Sequence, residues 1–207
     1  MSARYPLVAV YADESCLGNG KKSETPGGAG GLVEFQLRSG ELVCRDFWIS
    51  EPDTTNNRMA LQSVIQAFTH LSAKGERLSV VFTTDSRYLV DGMTQWVHGW
   101  ARKQWRKADG KPVENLALWH QALSAVSAGG HDVEWRWVRG HAGHPQNEWA
   151  NHLATTAAAD QTQSAGLVES GFGAWMDTRP AAVRRSGPPS PFPSAAGFSP
   201  AKALPAT

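Results

Sequence analysis

The chain has 207 residues, 41% of them hydrophobic, and a net charge of +1. That length buries one well-formed domain plus an appendage, and near-neutrality means that any nucleic-acid binding must come from a local basic patch. No apolar run approaches the ~18 residues needed to span a bilayer, and the N-terminal residues before the first strand carry no secretory signal pattern. With only Cys16 and Cys44, the reading is a cytoplasmic, monomeric protein with free thiols. Cys16 is read as a structural thiol, since no ligand spacing surrounds it.

In chain order, Pro6 to Asp13 is rich in β-branched and aromatic residues and runs into a polar, glycine-bearing loop, which predicts a strand and a turn. Gly30 to Arg38 and Leu42 to Ser50 read as the next strands of an antiparallel meander. Leu61, Val64, Ile65, Phe68 and Leu71 recur at helical spacing, with Asn56 or Asn57 placed to cap the helix. Leu78 to Thr83 is a continuous apolar run, as in a strand covered on both faces, and ends at Asp85 and Ser86. Arg87 to Leu123 is helical but broken at Gly110-Lys111-Pro112; Val133 to Val138 alternates as a strand, and Asn147 to Ala159 is a helix. The domain therefore spans residues 1–159. From residue 160 the composition shifts to Gly, Pro, Ser and Ala, which predicts a disordered tail through Thr207. Its Phe172 to Met176 island reads as a collapsed aromatic cluster or a short motif for a protein partner.

Asp13 and Asp85 fall at strand ends, where carboxylates from separate elements can converge on a divalent cation. Arg102, Lys103, Arg106, Lys107 and Lys111 crowd a stretch that also carries Trp96, Trp100 and Trp105. Trp96 and Trp100 share one helical face, which leaves the cations free to meet phosphate.

The segments Thr55-Asn56-Asn57-Arg58-Met59, Thr84-Asp85-Ser86, Thr94-Gln95-Trp96 and Gly140-His141-Ala142-Gly143-His144-Pro145 resemble bacterial type 1 ribonuclease H, from about Val8 to Ala159. The resemblance implies an α/β ribonuclease H-like fold, a mixed five-stranded sheet with helices on both faces. It also implies endonucleolytic cleavage of the RNA strand of an RNA–DNA hybrid, with two Mg2+ ions, or Mn2+, held by Asp, Glu, Asp and Asp. The first and third carboxylates match Asp13 and Asp85. The second falls on Ala60, where the family glutamate is also implicated in reading the ribose 2′-hydroxyl, and the fourth falls on Asn151. His141 matches a residue for proton handling or product release. The basic segment matches a protrusion that grips the DNA strand, while Asn19, Thr55, Asn56, Asn57 and Arg87 match or replace polar groove and phosphate contacts.

Two anionic ligands are thus missing from the pattern, and neutral oxygens repay the desolvation of magnesium poorly. Asn151 or Glu148 are the candidates to complete the metal site. Glu14 is expected to point to the opposite sheet face from Asp13. The sequence reading is a hybrid-binding homologue, a pseudoenzyme whose own cleavage is absent or strongly impaired. Two alternatives stand beside it: an active hybrid endonuclease with a rearranged metal site, and a non-catalytic interaction module that uses the tail.

Overall fold

The structure is a computed structural model that describes residues 2–18, 25–140, 142–178 and 188–205. Three long antiparallel strands, β1 (Leu7–Cys16), β2 (Gly27–Gln36) and β3 (Leu42–Glu51), form the meander. Strands β4 (Ser79–Thr84) and β5 (Asp132–Trp137) add in parallel on the other side of β1. A sixth strand, β6 (Val168–Glu169), pairs with the free edge of β3, and the full order is β5-β4-β1-β2-β3-β6. The mixed sheet with helices on both faces is as expected, with six strands in place of five.

One face carries α1 (Asn56–Ser72) and α4 (Leu116–Ala128), which bury Leu61, Val64, Phe68, Trp119 and Leu123 against Val10, Phe82 and Trp135. The cap of α1 is Thr55, whose hydroxyl accepts from the Arg58 N–H at 3.4 Å, rather than Asn56 or Asn57. Between β4 and α4 the chain forms α2 (Arg87–Asp91), a π-helical turn (Gly92–Trp96) and α3 (Val97–Arg102).

The opposite face carries α5 (Pro145–Asp160), with His144 as cap and Pro145 in the first turn. Gly28 and Gly30 let α5 lie almost on the strand backbone. A Cβ at Gly28 would collide with the Ala154 carbonyl, and one at Gly30 would sit 2.7 Å from the Ala150 carbonyl. This close approach carries the first turns of α5 to the end of β1, where Asp13 stands.

The expectation of a disordered tail is corrected for its described residues. The Ser164 N–H donates to the Trp48 carbonyl at 2.9 Å, β6 extends the sheet, and α6 (Phe172–Thr178) packs Phe172 and Trp175 against Trp149 with ring centroids 6.4 and 5.3 Å away. The buried Asp46 carboxylate ties this together by accepting from Trp149 Nε1 at 2.9 Å, Ser170 Oγ at 2.7 Å and the Gly171 N–H at 2.9 Å. Further on, Ala195 accepts from the Ala3 N–H and the Ala201 N–H reaches the Val133 carbonyl, both at 2.8 Å, and Phe198 is 1% exposed. The aromatic island is therefore docked within its own chain.

Candidate metal and nucleic-acid site

Strand β1 outruns its parallel neighbour. Its last partner on β4 is at Ala12↔Thr84, while its pairing with β2 continues to Cys16↔Gly27. Asp13 and Glu14 therefore flank an open notch where β4 has ended and the chain turns at Asp85 and Ser86 into α2. Side chains from both faces of β1 can curl around that edge. Carboxylate oxygens of Asp13, Glu14 and Asp85 lie within 4.8 Å of one another. The expectation that alternation would send Glu14 away from the site is thus overturned, because alternation separates side chains only while a neighbouring strand stands between them.

The surroundings hold the three groups together. The Glu14 N–H donates to Asp13 Oδ1 at 2.7 Å, and Asn147 Nδ2 donates to both Asp13 Oδ2 and the Ala12 carbonyl at 3.3 Å. Asn151, one turn further along α5, also hydrogen-bonds Asp13, and Ser86 hydrogen-bonds Glu14. Trp137 Nε1 donates to the Asp85 carbonyl at 3.0 Å, and the Arg87 guanidinium lies 3.9 Å over the Trp137 ring. The Gly140 backbone abuts the Asp85 carboxylate, where a Cβ would collide.

Such crowding is costly without a cation. Burial and the Asp85 charge push the Asp13 carboxyl up to about 8, and burial with both neighbouring aspartates raises Glu14 well above the usual carboxylate range. Glu14 Oε2 is buried and accepts no hydrogen bond among the described residues. Three carboxylates, with Glu14 Oε2 buried and unpartnered among the described residues, offer the hard oxygen donors that fit Mg2+ or Mn2+.

Asp13 ionises near 3.8 when unfolded but holds its proton to about 8 when folded, so its contribution is present at low pH and lost as pH rises through the folded value. Glu34, pushed by burial from 4.5 to about 7, acts in the same direction. The melting temperature of the metal-free protein in EDTA should fall from about pH 5 to about pH 8, with Mg2+ giving a larger upward shift at the higher pH. Scanning calorimetry at both pH values checks this, and a metal effect that shrinks with pH would contradict it.

Ala60 is fully buried in the core beneath the sheet, so no carboxylate comes from α1 at that position. Glu148 is not among the converging carboxylates; the structure brings in Glu14 instead. His141 and Asn19 lie outside the described residues. Thr55, Asn56 and Asn57 are exposed at the start of α1.

Sequence reasoning also passed over Asn147. Its amide sits in the loop-to-helix motif, but only the contact with Asp13 shows its use.

In the basic segment, Trp100 packs against Trp96, Trp105 and Trp119 with centroids 5.7, 6.3 and 5.4 Å apart, so these rings fasten the protrusion to the core. Trp96 is the most open of these rings, at 37% exposure. The backbone reverses through Gln104 and Trp105, which have φ of 51° and 59°. This leaves Arg102, Lys103, Arg106 and Lys111 on the outside. Lys107 pairs with Glu114 at 3.0 Å and Lys111 with Asp109 at 3.8 Å, exposed pairs that cost little to exchange for phosphate.

A mixed sheet of this strand order, with a cluster of carboxylates where β4 ends and a basic, tryptophan-bearing protrusion, defines a ribonuclease H-like protein. The RNase H family model matches residues 6–159, and the chain belongs to that family. It is 41% identical over 155 residues to Ribonuclease H of Escherichia coli O139:H28 (strain E24377A / ETEC), covering 75% of this chain and 91% of the relative. The figures are the same for Ribonuclease H of Shigella boydii serotype 18 (strain CDC 3083-94 / BS512). The crystal structure of LC9-RNase H1, described as a type 1 RNase H with the type 2 active-site motif, superposes with a TM-score of 0.89 at 61% identity, covering 97% of this chain and 94% of that one. A foamy viral protease-reverse transcriptase in complex with an RNA/DNA hybrid shares the fold, with a TM-score of 0.60 at 17% identity over 75% of this chain and 20% of that one.

Proposed function

We propose that this chain is an active endonuclease that hydrolyses the RNA strand of RNA–DNA hybrids with Mg2+ or Mn2+, and that Glu14 takes over from the carboxylate missing at Ala60. The observation that carries this is the convergence of Asp13, Glu14 and Asp85 within 4.8 Å. Asp13, Glu14 and Asp85 would hold the divalent ions, with the Asn151 amide as a weaker fourth donor. When bound, such ions neutralise charge on the scissile phosphate and activate water. LC9-RNase H1 supports the reading, since it pairs a type 1 scaffold with a different active-site motif at 61% identity to this chain. Arg102, Lys103, Arg106, Lys107 and Lys111 would position the hybrid by its backbone, without reading sequence. Arg87, held on Trp137 beside the cluster, would meet a phosphate or sugar next to the cut.

The second reading, a hybrid binder that cuts weakly, rests on Asn151, which brings no negative charge to the fourth position. A labelled RNA–DNA hybrid incubated with the chain in Mg2+, in Mn2+ and in EDTA separates the two. Metal-dependent fragments from the RNA strand alone are expected. Tight binding with no fragments in either metal would favour the second reading.

A further inference from the structure

We infer that the C-terminal segment around Ser190 is a working part of the metal site: Ser190 fixes the first turn of α5, and through it the amides of Asn147 and Asn151 that face Asp13. The inference rests on the function proposed above. Ser190 makes three bonds to that turn. Its N–H donates to Gln146 Oε1 at 3.1 Å, its carbonyl accepts from Gln146 Nε2 at 2.8 Å, and its hydroxyl lies 3.1 Å from His144 Nε2. Gln146 is 0% exposed, so the reciprocal amide pair with Ser190 satisfies polar atoms that water cannot reach.

The bonds continue into the site. His144 Nδ1 accepts from the Asn147 N–H at 3.4 Å, which leaves the ring proton of a neutral His144 on Nε2, directed at the Ser190 hydroxyl. Burial lowers the His144 pKa and favours that neutral form. Packing against Tyr11, with ring centroids 5.4 Å apart, fixes the imidazole plane. The next residue, Asn147, then spans the Ala12 carbonyl and Asp13 Oδ2. A continuous path thus leads from Ser190 through His144 and Asn147 to the Asp13 carboxylate. Ser190 touches no metal donor, so it is a positioning residue and not a catalytic one.

A purely structural clamp would contribute to stability and leave the metal site alone, and two variants of the full chain distinguish the cases. Ser190→Ala removes only the hydroxyl. Ser190→Pro also removes the N–H donated to Gln146, in a segment where prolines stand on both sides. Mn2+ affinity by calorimetry, thermal midpoint, hybrid Kd and single-turnover cleavage at fixed Mn2+ are read for each. The expected result is a loss of about 10-fold in Mn2+ affinity and in cleavage rate for Ser190→Pro, a smaller loss for Ser190→Ala, and an unchanged hybrid Kd. Unchanged Mn2+ affinity and rate in both variants, with only the thermal midpoint lowered, would overturn the inference. Should the parent chain fail to cleave, the functional reading falls, while the Mn2+ measurement still decides the role of Ser190.

Discussion

Replacing Glu14 with Gln is expected to reduce hybrid cleavage by about 100-fold or more, at or beyond the upper end of the roughly 10–100-fold that losing an outer partner of a metal ligand costs. The side chain keeps its size and its place at the end of β1, so the change removes charge and little else. The Asp13–Glu14–Asp85 cluster would fall from three carboxylates to two, while the remaining amide oxygen repays magnesium dehydration poorly. The same variant should melt at a higher temperature than the parent in EDTA. Glu14 is pushed well up by burial and by both aspartates, so its ionised form is a burden on the metal-free fold. A lower rate together with a higher metal-free melting temperature identifies a ligand and not a structural prop. Single-turnover rates and calorimetry in EDTA check both arms. Cleavage within about threefold of the parent would remove Glu14 from the site.

The second large effect lies far from the chemistry. Phe198→Ala should cost about 3–5 kcal/mol, the usual range for deleting a buried phenyl ring. Phe198 is 1% exposed, and its neighbours are held to the domain through Ser199 N–H to Glu134 Oε2 at 2.7 Å and Ala201 N–H to the Val133 carbonyl at 2.8 Å. Urea unfolding of the full chain measures the loss. A change within about 0.5 kcal/mol, typical of a surface position, would mean that the segment does not dock as described.

These two residues mark where the sequence was and was not legible. Asp13 and Asp85 were readable because each follows an apolar run of sequence, and the words around Asn56, Asp85 and His144 set the fold and its element order. Glu14 was misplaced because the alternation rule presumes a neighbour on both sides of the strand. Only the register, with β4 ending at Thr84 opposite Ala12, reveals the open flank. The C-terminal segment was misread for a related reason. Leu167, Phe192 and Phe198 occur singly among Gly, Pro and Ser, and the Phe172–Trp175 pair is a single helical step too short to set a period. Leu167 packs on the core under α1 and α4, while Phe172, Trp175 and Phe192 pack on the opposite face around Trp149, so no single local pattern could announce the docking. Proline-rich chain also loses less entropy on docking than its composition suggests. The tryptophans of the basic segment were the opposite case, since their helical spacing already pointed to the packing seen between Trp96 and Trp100.

Whether Glu14 ligates the divalent ion is answered by seeing the ion in place. A crystal of the full chain soaked in Mn2+, with anomalous scattering used to place the ion, tests it most directly. A manganese peak is expected with carboxylate oxygens of Asp13, Glu14 and Asp85 in its immediate shell, at about 2 Å from the ligating atoms. A peak held by Asp13 and Asp85 with Glu14 turned away would contradict it.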